Sequence, residues 1–173
     1  MILSDVSIKM AIAVGDIVVH PLDPNDIQPA SIDVHLDKTL KIPDYYVGDT
    51  HENGVAVPYE MIDRFVLAPR DFVLGSTIEH IEIPNYLVAV LESTSSLKRL
   101  GLFSAPGFVD PGWKGQLTLE ISNLSRNPLR LYPGMKIGQL VFFELTTPAA
   151  RPYGTPSLHS KYQNQVGATP WKA

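Results

Sequence analysis

The 173-residue sequence predicts an all-β fold, a distorted antiparallel barrel or jelly-roll. Three observations support this prediction. Apolar and polar residues alternate with a period of two in many short runs, and Pro or Gly interrupts these runs at close intervals. The third observation is length, because a chain of this size can bury one core of its own. Many short strands at such spacing are typical of sandwiches and barrels, so we expect one domain over residues 1–173.

A short helix is expected at the start of the chain. Ser4 or Asp5 can cap it, and Gly15 can end it after about Val14. Residues 95–101 are the one internal stretch in which we expect a helical turn or two. Strands are predicted over residues 17–20, 31–36, 40–42, 65–67, 72–78, 80–83, 87–91, 116–122, 129–132 and 137–145.

The last part of the chain, from about residue 147 to residue 173, differs from the rest in composition. It contains four prolines and few apolar residues, which indicates an extended arm rather than core. Its stretch KYQNQVGATPW offers hydrogen-bond donors and flat aromatic surfaces. We therefore expect the arm to fold over a bound ligand or over a neighbouring subunit.

The composition excludes several kinds of site. The chain has no cysteine, so it can form neither disulfides nor thiolate metal sites, and its five histidines are scattered without ligand spacing. A formal net charge of -4 argues against a nucleic-acid partner. The apolar patch at residues 10–14 is too short for a membrane span and lacks the flanks of a signal peptide. We expect a cytoplasmic enzyme with no membrane partner.

A glutamate interrupts an apolar run in the stretch VDPGWKGQLTLEIS, residues 109–122. With strand periodicity Leu117, Leu119 and Ile121 share one face, and Glu120 points to the other. The simplest interpretation is a solvated sheet face. The functional interpretation is that the strand holds Glu120 rigidly against a ligand.

Three clusters are candidates for chemistry. In ESTSSLKRLGL, a run of hydroxyl residues precedes Lys98 and Arg99, which is the composition of a phosphate cradle. Asp110 with Glu120 can supply a general base and a group that holds a sugar hydroxyl. In IQPASIDVHL, we interpret Asp33 as an acceptor of backbone hydrogen bonds at the entry of an edge strand.

The pieces MILSD, IQPASIDVHL, SSLKRLGL, VDPGWKG, LTLEISN, LYPGMKIGQLVF, RPY and KYQNQVGA occur in this order and span nearly the whole chain. Together they resemble the dCTP deaminase family, which shares its fold with the trimeric dUTPases. The resemblance implies a dUTPase-like homotrimer with active sites between subunits. It also implies deamination of dCTP to dUTP and ammonia without zinc, with Mg²⁺ bound only through the triphosphate.

The resemblance also implies a role for individual residues. Glu120 would be the acid and base that activates water and passes its proton to the departing amine, while Ser95 and Arg99 would position the water and stabilise charge on the ring. Because no metal acidifies the water, a partly desolvated carboxylate has to carry the proton transfers. Asp110 would hold the 3'-hydroxyl and, in relatives that hydrolyse dUTP, the water that attacks the α-phosphate. The implied substrate-binding residues are Ser96, Asp110, Trp113, Gln139, Tyr153, Lys161 and Gln165.

The sequence departs from the family pattern in two places. Thr94 stands where a basic residue is usual, and Lys98 stands where a small one is typical, so Lys98 is expected to compensate. The loop LFSAPGFVD is shorter than in the relatives and carries Ala105-Pro106 where Thr-Ala is expected. Its Gly107-Phe108 pair resembles the forms that convert dCTP directly to dUMP.

Three alternatives to a deaminase that releases dUTP therefore stay open. The first is a bifunctional enzyme that releases dUMP and pyrophosphate, and the second is a dUTPase. The third is a nucleotide-sensing protein without turnover, since a fold alone does not determine function. Thr94 is the feature that favours the sensor, whereas Ser95, Arg99 and Glu120 favour an enzyme.

Overall fold

The computed structural model describes residues 1–44, 49, 51–104 and 107–173. It contains two α-helices in these ranges, α1 (Asp5–Ala13) and α2 (Ser95–Leu100), and short 3₁₀ turns at Pro24–Asp26 and Pro156–Leu158. The strands are β1 (Val18–His20), β2 (Ile27–Gln28), β3 (Ser31–His35), β4 (Thr39–Pro43), β5 (Ala56–Glu60), β6 (Phe65–Leu67), β7 (Phe72–Glu82), β8 (Leu87–Ser93), β9 (Leu102–Ser104), β10 (Gly107–Val109), β11 (Lys114–Asn123), β12 (Leu129–Leu131) and β13 (Lys136–Glu144).

The strands form two main antiparallel sheets and one small pair. The first sheet has the order β5-β4-β7-β11-β9, with β1 also paired to β7. The second has the order β10-β8-β13-β3-β2, and β12 pairs with β6. Fully buried side chains from both main sheets join one apolar core, among them Ile121 and Phe142. The all-β, jelly-roll-like prediction is confirmed.

Helix α1 follows its sequence signals. The backbone N–H of Ser7 donates to Oγ of Ser4, which caps the first turn, and Ile8 is the helical residue that is buried. Gly15 follows with a positive φ of 82°, a conformation that favours glycine. In the part of the chain that the structure describes, neither helix has the length and hydropathy of a membrane-spanning segment.

The strands β2, β5, β9 and β10 were not predicted, and two of the differences from the prediction have a clear physical reason. The two strands predicted over residues 72–78 and 80–83 are the single strand β7, which ends at Glu82, because the buried Glu79 is hydrogen-bonded and does not break the strand. The backbone N–H of His35 donates to Oε2 of Glu79 at 3.0 Å, and Nδ1 of His35 lies 2.7 Å from Oε1 of Glu79. Strand β5 was not predicted because Pro58 interrupts the pattern; an edge strand tolerates proline.

Strand β11 has the alternation expected from its sequence. Leu117, Leu119 and Ile121 are buried, whereas Glu120 is exposed on the opposite face. Its backbone is paired to β7, where Leu74 lies opposite Glu120, and the next residues also pair with β9. The strand is therefore fixed by neighbours on both sides at the point where it carries Glu120.

Candidate active site

A cavity of about 680 Å³ lies on the outward face of β11. One wall consists of β7 and β11, a second contains the end of β10, and the C-terminal arm forms a third. Five residues expected from the sequence line this cavity, namely Asp110, Trp113, Glu120, Tyr153 and Gln165. The structure thus brings together two carboxylates that the sequence analysis paired.

The Glu120 carboxylate is exposed in the single chain. Among the described residues, none is placed to hydrogen-bond with it. This differs from the partly desolvated carboxylate that was expected. The reason is geometric, because none of the residues that the structure describes covers the Glu120 side chain.

Asp110 lies in a more enclosed position. It follows β10 directly and is half-buried at the cavity wall. Burial raises the pKa of its carboxyl above the ordinary value of 3.8, because the charged form loses hydration. Its backbone carbonyl accepts a hydrogen bond from the N–H of Trp113 at 3.1 Å, so the turn after it is closed.

The turn Pro111-Gly112 joins Asp110 to the base of the arm. Gly112 has a φ of 86°, and a Cβ built on it would lie 2.6 Å from Cβ of Pro152. The backbone N–H of Tyr153 donates to the carbonyl of Pro111 at 2.7 Å. The ring of Tyr153 also packs on Trp113, with 5.5 Å between ring centroids. Glycine is required here both for the backbone conformation and for this close approach.

We therefore expect Gly112→Ala to destabilise the protein by about 1–3 kcal/mol, the usual cost of such backbone strain, and to displace Tyr153. Urea unfolding measures the stability. The matched control is Gly134→Ala, since Gly134 also has a positive φ, of 73°, but no atom within 4 Å of the added Cβ. Equal stability losses and equal activity losses in the two variants would show that the contact with the arm has no role.

Tyr153 links Asp110 to the rest of the arm. Its hydroxyl oxygen accepts the backbone N–H of Tyr162 at 3.0 Å. Burial raises the pKa of the phenol; the hydrogen bond from Tyr162 opposes this increase, and the charge of Asp110 adds to it. Tyr153 is thus held as a neutral hydroxyl at the cavity wall.

The arm continues along the edge of β11 in its own chain. Gln165 forms a parallel bridge with Gly115, and its carbonyl accepts the N–H of Gln116 at 3.0 Å. Its side-chain Nε2 donates to the carbonyl of Gln116 at 2.7 Å and to Oγ1 of Thr118 at 3.2 Å. Gln165 therefore anchors the arm on the strand that carries Glu120.

Five other expected residues do not line this cavity. Ser95, Ser96 and Arg99 are exposed on α2, a helix without buried residues. Lys161 lies at the outer side of the arm. Gln139 is on β13 and donates to Oδ1 of Asp33 at 3.0 Å.

The interpretation of Asp33 needs correction. Asp33 accepts hydrogen bonds from the side chains of Gln28, Lys136 and Gln139, not from the backbone as expected. Lys98 is ion-paired to Glu92 on β8, and its compensation for Thr94 stays a prediction. Lys136 and Gln139 lie 103 and 106 residues from Asp33 in the sequence, so a local pattern does not contain these contacts.

Sequence reasoning missed other cavity residues. Thr118 shares the outward face with Glu120, so the alternation itself contained this signal. The stretch KYQNQVGATPW had indicated the end of the arm, but no local signal indicated the loop before β5. Gly107 and Phe108 line the cavity, whereas Ala105-Pro106 lies outside the described residues.

Comparison with solved structures identifies the fold. A 2'-deoxycytidine 5'-triphosphate deaminase from Agrobacterium tumefaciens has a TM-score of 0.67 at 22% identity; the match covers 82% of this chain and 47% of that chain. The dUTPase of the Staphylococcus aureus phage phi11 has a TM-score of 0.52 at 18% identity, covering 77% and 92%. The chain therefore has the fold that these two kinds of nucleotide-processing enzyme share.

Sequence comparison identifies the family. A family model described as dCTP deaminase-like matches residues 2–145. Proteins named dCTP deaminase, dUMP-forming, are similar along nearly the whole length. The one from Corynebacterium diphtheriae is 45% identical, covering 100% of this chain and 97% of the relative. The one from Thermobifida fusca is 44% identical, covering 98% and 91%. The chain belongs to the dCTP deaminase family.

Proposed function

We propose that this chain deaminates dCTP and releases dUMP, pyrophosphate and ammonia from one nucleotide-processing domain over residues 1–173. The observation that supports it most directly is that Glu120 and Asp110 line the same cavity. The two reactions need two different groups, one at the base and one near the α-phosphate. The relatives named as dUMP-forming favour this product over the dUTP that the resemblance placed first.

Deamination is the task of Glu120. Its carboxylate takes a proton from water, the resulting oxygen adds to C4 of the cytosine ring, and the proton passes to the amine, which leaves as ammonia. Within the described part of the chain, no group is hydrogen-bonded to this carboxylate, so it is available to both water and base. Ser95 and Arg99 of a neighbouring copy complete the site by positioning the water and stabilising charge on the ring.

Hydrolysis is the task of Asp110. Its carboxylate holds the deoxyribose 3'-hydroxyl and orients the water that attacks the α-phosphate, so that pyrophosphate leaves. Ser96, Tyr153, Lys161 and Gln165 hold the triphosphate. Within the described ranges, no group of three or more His, Asp or Glu side chains is placed to hold a metal ion. We propose that Mg²⁺ is bound through the phosphate oxygens, where it neutralises their charge.

Two features support a homotrimer with sites between subunits. Helix α2 presents its polar residues to solvent and not to the cavity of its own chain. The outward face of the second sheet carries an apolar row in which Phe108 lies opposite Val90 and Val90 lies opposite Val141. Phe108 is 67% exposed, which is unusual for a strand residue of this size. A neighbouring copy would cover this row and bring α2 to the open side of the cavity.

Shared sites predict complementation between two inactive variants. Trimers that mix Glu120→Gln with Arg99→Ala subunits should recover up to about a third of wild-type activity, because one of the three sites in every mixed trimer receives both intact residues. Mixed trimers are isolated by two affinity tags, and light scattering confirms their mass. The control mixes the Glu120→Gln/Arg99→Ala double variant with Arg99→Ala subunits; no site then receives an intact Arg99, and nothing should be recovered. No recovery in verified Glu120/Arg99 mixtures would contradict sites between subunits.

The function is tested by incubating the protein with dCTP and Mg²⁺, and separately with dUTP, and resolving the nucleotides by ion-exchange chromatography. We expect dUMP and pyrophosphate from dCTP without accumulation of dUTP. Accumulating dUTP would show a deaminase only, and hydrolysis of dUTP alone would show a dUTPase. Thermal stabilisation by dCTP without any product would show a nucleotide sensor. We place the enzyme in the cytoplasm, with a nucleotide and its own copies as its partners.

A further inference from the structure

The last residues of the arm close the cavity opposite β11. Thr169 and Trp171 line the cavity, and the N–H of Thr169 donates to Oγ1 of Thr118 at 3.1 Å. The carbonyl of Trp171 accepts the N–H of Gly54 at 2.7 Å. The tail therefore spans from the strand that carries Glu120 to the loop before β5.

Trp171 packs against this loop at Gly54, which has no side chain. A Cβ built on Gly54 would lie 2.9 Å from Cβ and 3.1 Å from N of Trp171. Both distances are too short, and neither Cβ nor N of Trp171 can move away without moving the backbone of the tail. Gly54 therefore permits the tail to pack directly on the loop.

Trp171 also holds the Lys161 ammonium group. Nζ of Lys161 lies 5.1 Å from the centroid of the Trp171 ring and donates to the carbonyl of Lys172 at 2.8 Å. In return, Nζ of Lys172 donates to the carbonyl of Lys161 at 2.9 Å and lies 5.4 Å from the ring of Tyr162. A lysine ammonium has three donors, so one hydrogen bond leaves two for an anion.

These contacts place a cation at the rim of the cavity. Lys161 does not line the cavity itself, but Tyr162 and Trp171, the two aromatic residues beside it, both do. A nucleotide with its nucleoside inside the cavity would have its phosphates toward the outside. The Lys161 ammonium is already held in position there, so binding the phosphates costs less conformational entropy.

We propose that Trp171 is a positioning residue for the triphosphate: it closes the outer side of the cavity and holds Lys161 where the phosphates emerge. This inference rests on the proposed function, since it requires a nucleotide in the cavity. Trp171 acts on substrate binding and has no part in the proton transfers at the base. Its loss should therefore change the KM for dCTP and leave kcat nearly unchanged.

The experiment compares steady-state kinetics with dCTP for Trp171→Ala, Trp171→Phe, Gly54→Ala and the matched control Val166→Ala. Val166 is in the same arm and is 84% exposed. Trp171→Ala should raise KM about tenfold, which corresponds to about 1.4 kcal/mol, with kcat within about threefold of wild type. Gly54→Ala should have a similar effect because it displaces the tail. Trp171→Phe should have a KM close to that of the wild type, because it keeps an aromatic ring, and the KM of Val166→Ala should equal that of the wild type.

A double-mutant cycle with Lys161→Met tests whether Trp171 acts through Lys161. In that background, Trp171→Ala should raise KM by clearly less than tenfold, since the ammonium that it holds is gone. The same fold-change in both backgrounds would overturn the coupling. An unchanged KM in Trp171→Ala, with normal turnover of dCTP by the wild type, would overturn the inference and leave the proposed function intact.

Limited trypsin digestion without nucleotide distinguishes failure of the proposed function from failure of the Trp171 contacts to hold the tail. Cleavage after Lys161 and Lys172 should be faster in Trp171→Ala and in Gly54→Ala than in the wild type, because each substitution removes contacts that hold the tail in place. A wild-type protein that neither binds nor converts dCTP would overturn the proposed function together with the role of Trp171 in binding. Equal digestion of all variants would show that the contacts of Trp171 do not hold the tail.

Discussion

Replacing Glu120 with glutamine is expected to lower ammonia release from dCTP by about 10²- to 10⁴-fold, the contribution that a general acid and base makes. Glutamine keeps the shape of the side chain but cannot accept the proton of the attacking water. Binding of dCTP should stay within about threefold of wild type, because the amide still hydrogen-bonds. Ammonia release measures the reaction, and calorimetric titration measures binding.

The control for this prediction is Glu144→Gln. Glu144 is also exposed at a strand position, at the end of β13, but does not line the cavity. The Glu144→Gln variant should bind and convert dCTP like the wild type. Turnover by the Glu120 variant near the wild-type rate would refute its role as the proton shuttle, and loss of binding alone would assign it to substrate recognition.

The second large effect is expected for Asp110→Asn, which should lower dUMP formation by about 10²- to 10⁴-fold by removing the group that orients water. Accumulation of dUTP from dCTP in this variant would show that the base reaction survives. If dUMP still forms at the wild-type rate, Asp110 has no part in the hydrolysis.

The raised pKa of Asp110 adds a pH dependence to this prediction. Because burial disfavours the charged carboxylate, its ionisation costs stability; this cost is absent well below pH 3.8 and is complete once the pH exceeds the raised pKa. At neutral pH, Asp110→Asn should therefore unfold at the same or a higher temperature than wild type. For the same reason, dUMP formation by the wild type should fall on acidification at a higher pH than an ordinary aspartate would give. A lower melting temperature together with an unshifted acid limb would contradict this account.

Much of the site was predictable because its signals are local. The alternation around Leu119 and Glu120 follows from the backbone geometry of a strand, in which neighbouring side chains take opposite faces. The turn after Asp110 needs a residue that tolerates positive φ, and the sequence supplies Gly112 there. The prolines of the arm predicted an extended segment, and the arm contains no regular strand or α-helix in the structure.

The position of the arm was not predictable in the same way. Its amide N–H at Gly167 donates to the side chain of Gln116 at 2.6 Å, across 51 residues of sequence. The contact between Gly54 and Trp171 likewise joins the loop before β5 to the far end of the chain. No periodicity within either segment specifies such a partner.

The sequence by itself determined that this protein is all-β, that Glu120 points away from the core, and that no cysteine chemistry is available. Each of these depends on residue type or on spacing over a few residues. Only the tertiary structure decided that Asp110 and Glu120 share a cavity, that α2 lies apart from it, and that Trp171 lines it. These placements depend on packing between segments distant in sequence, where shape and hydrogen bonding of both partners decide the outcome together.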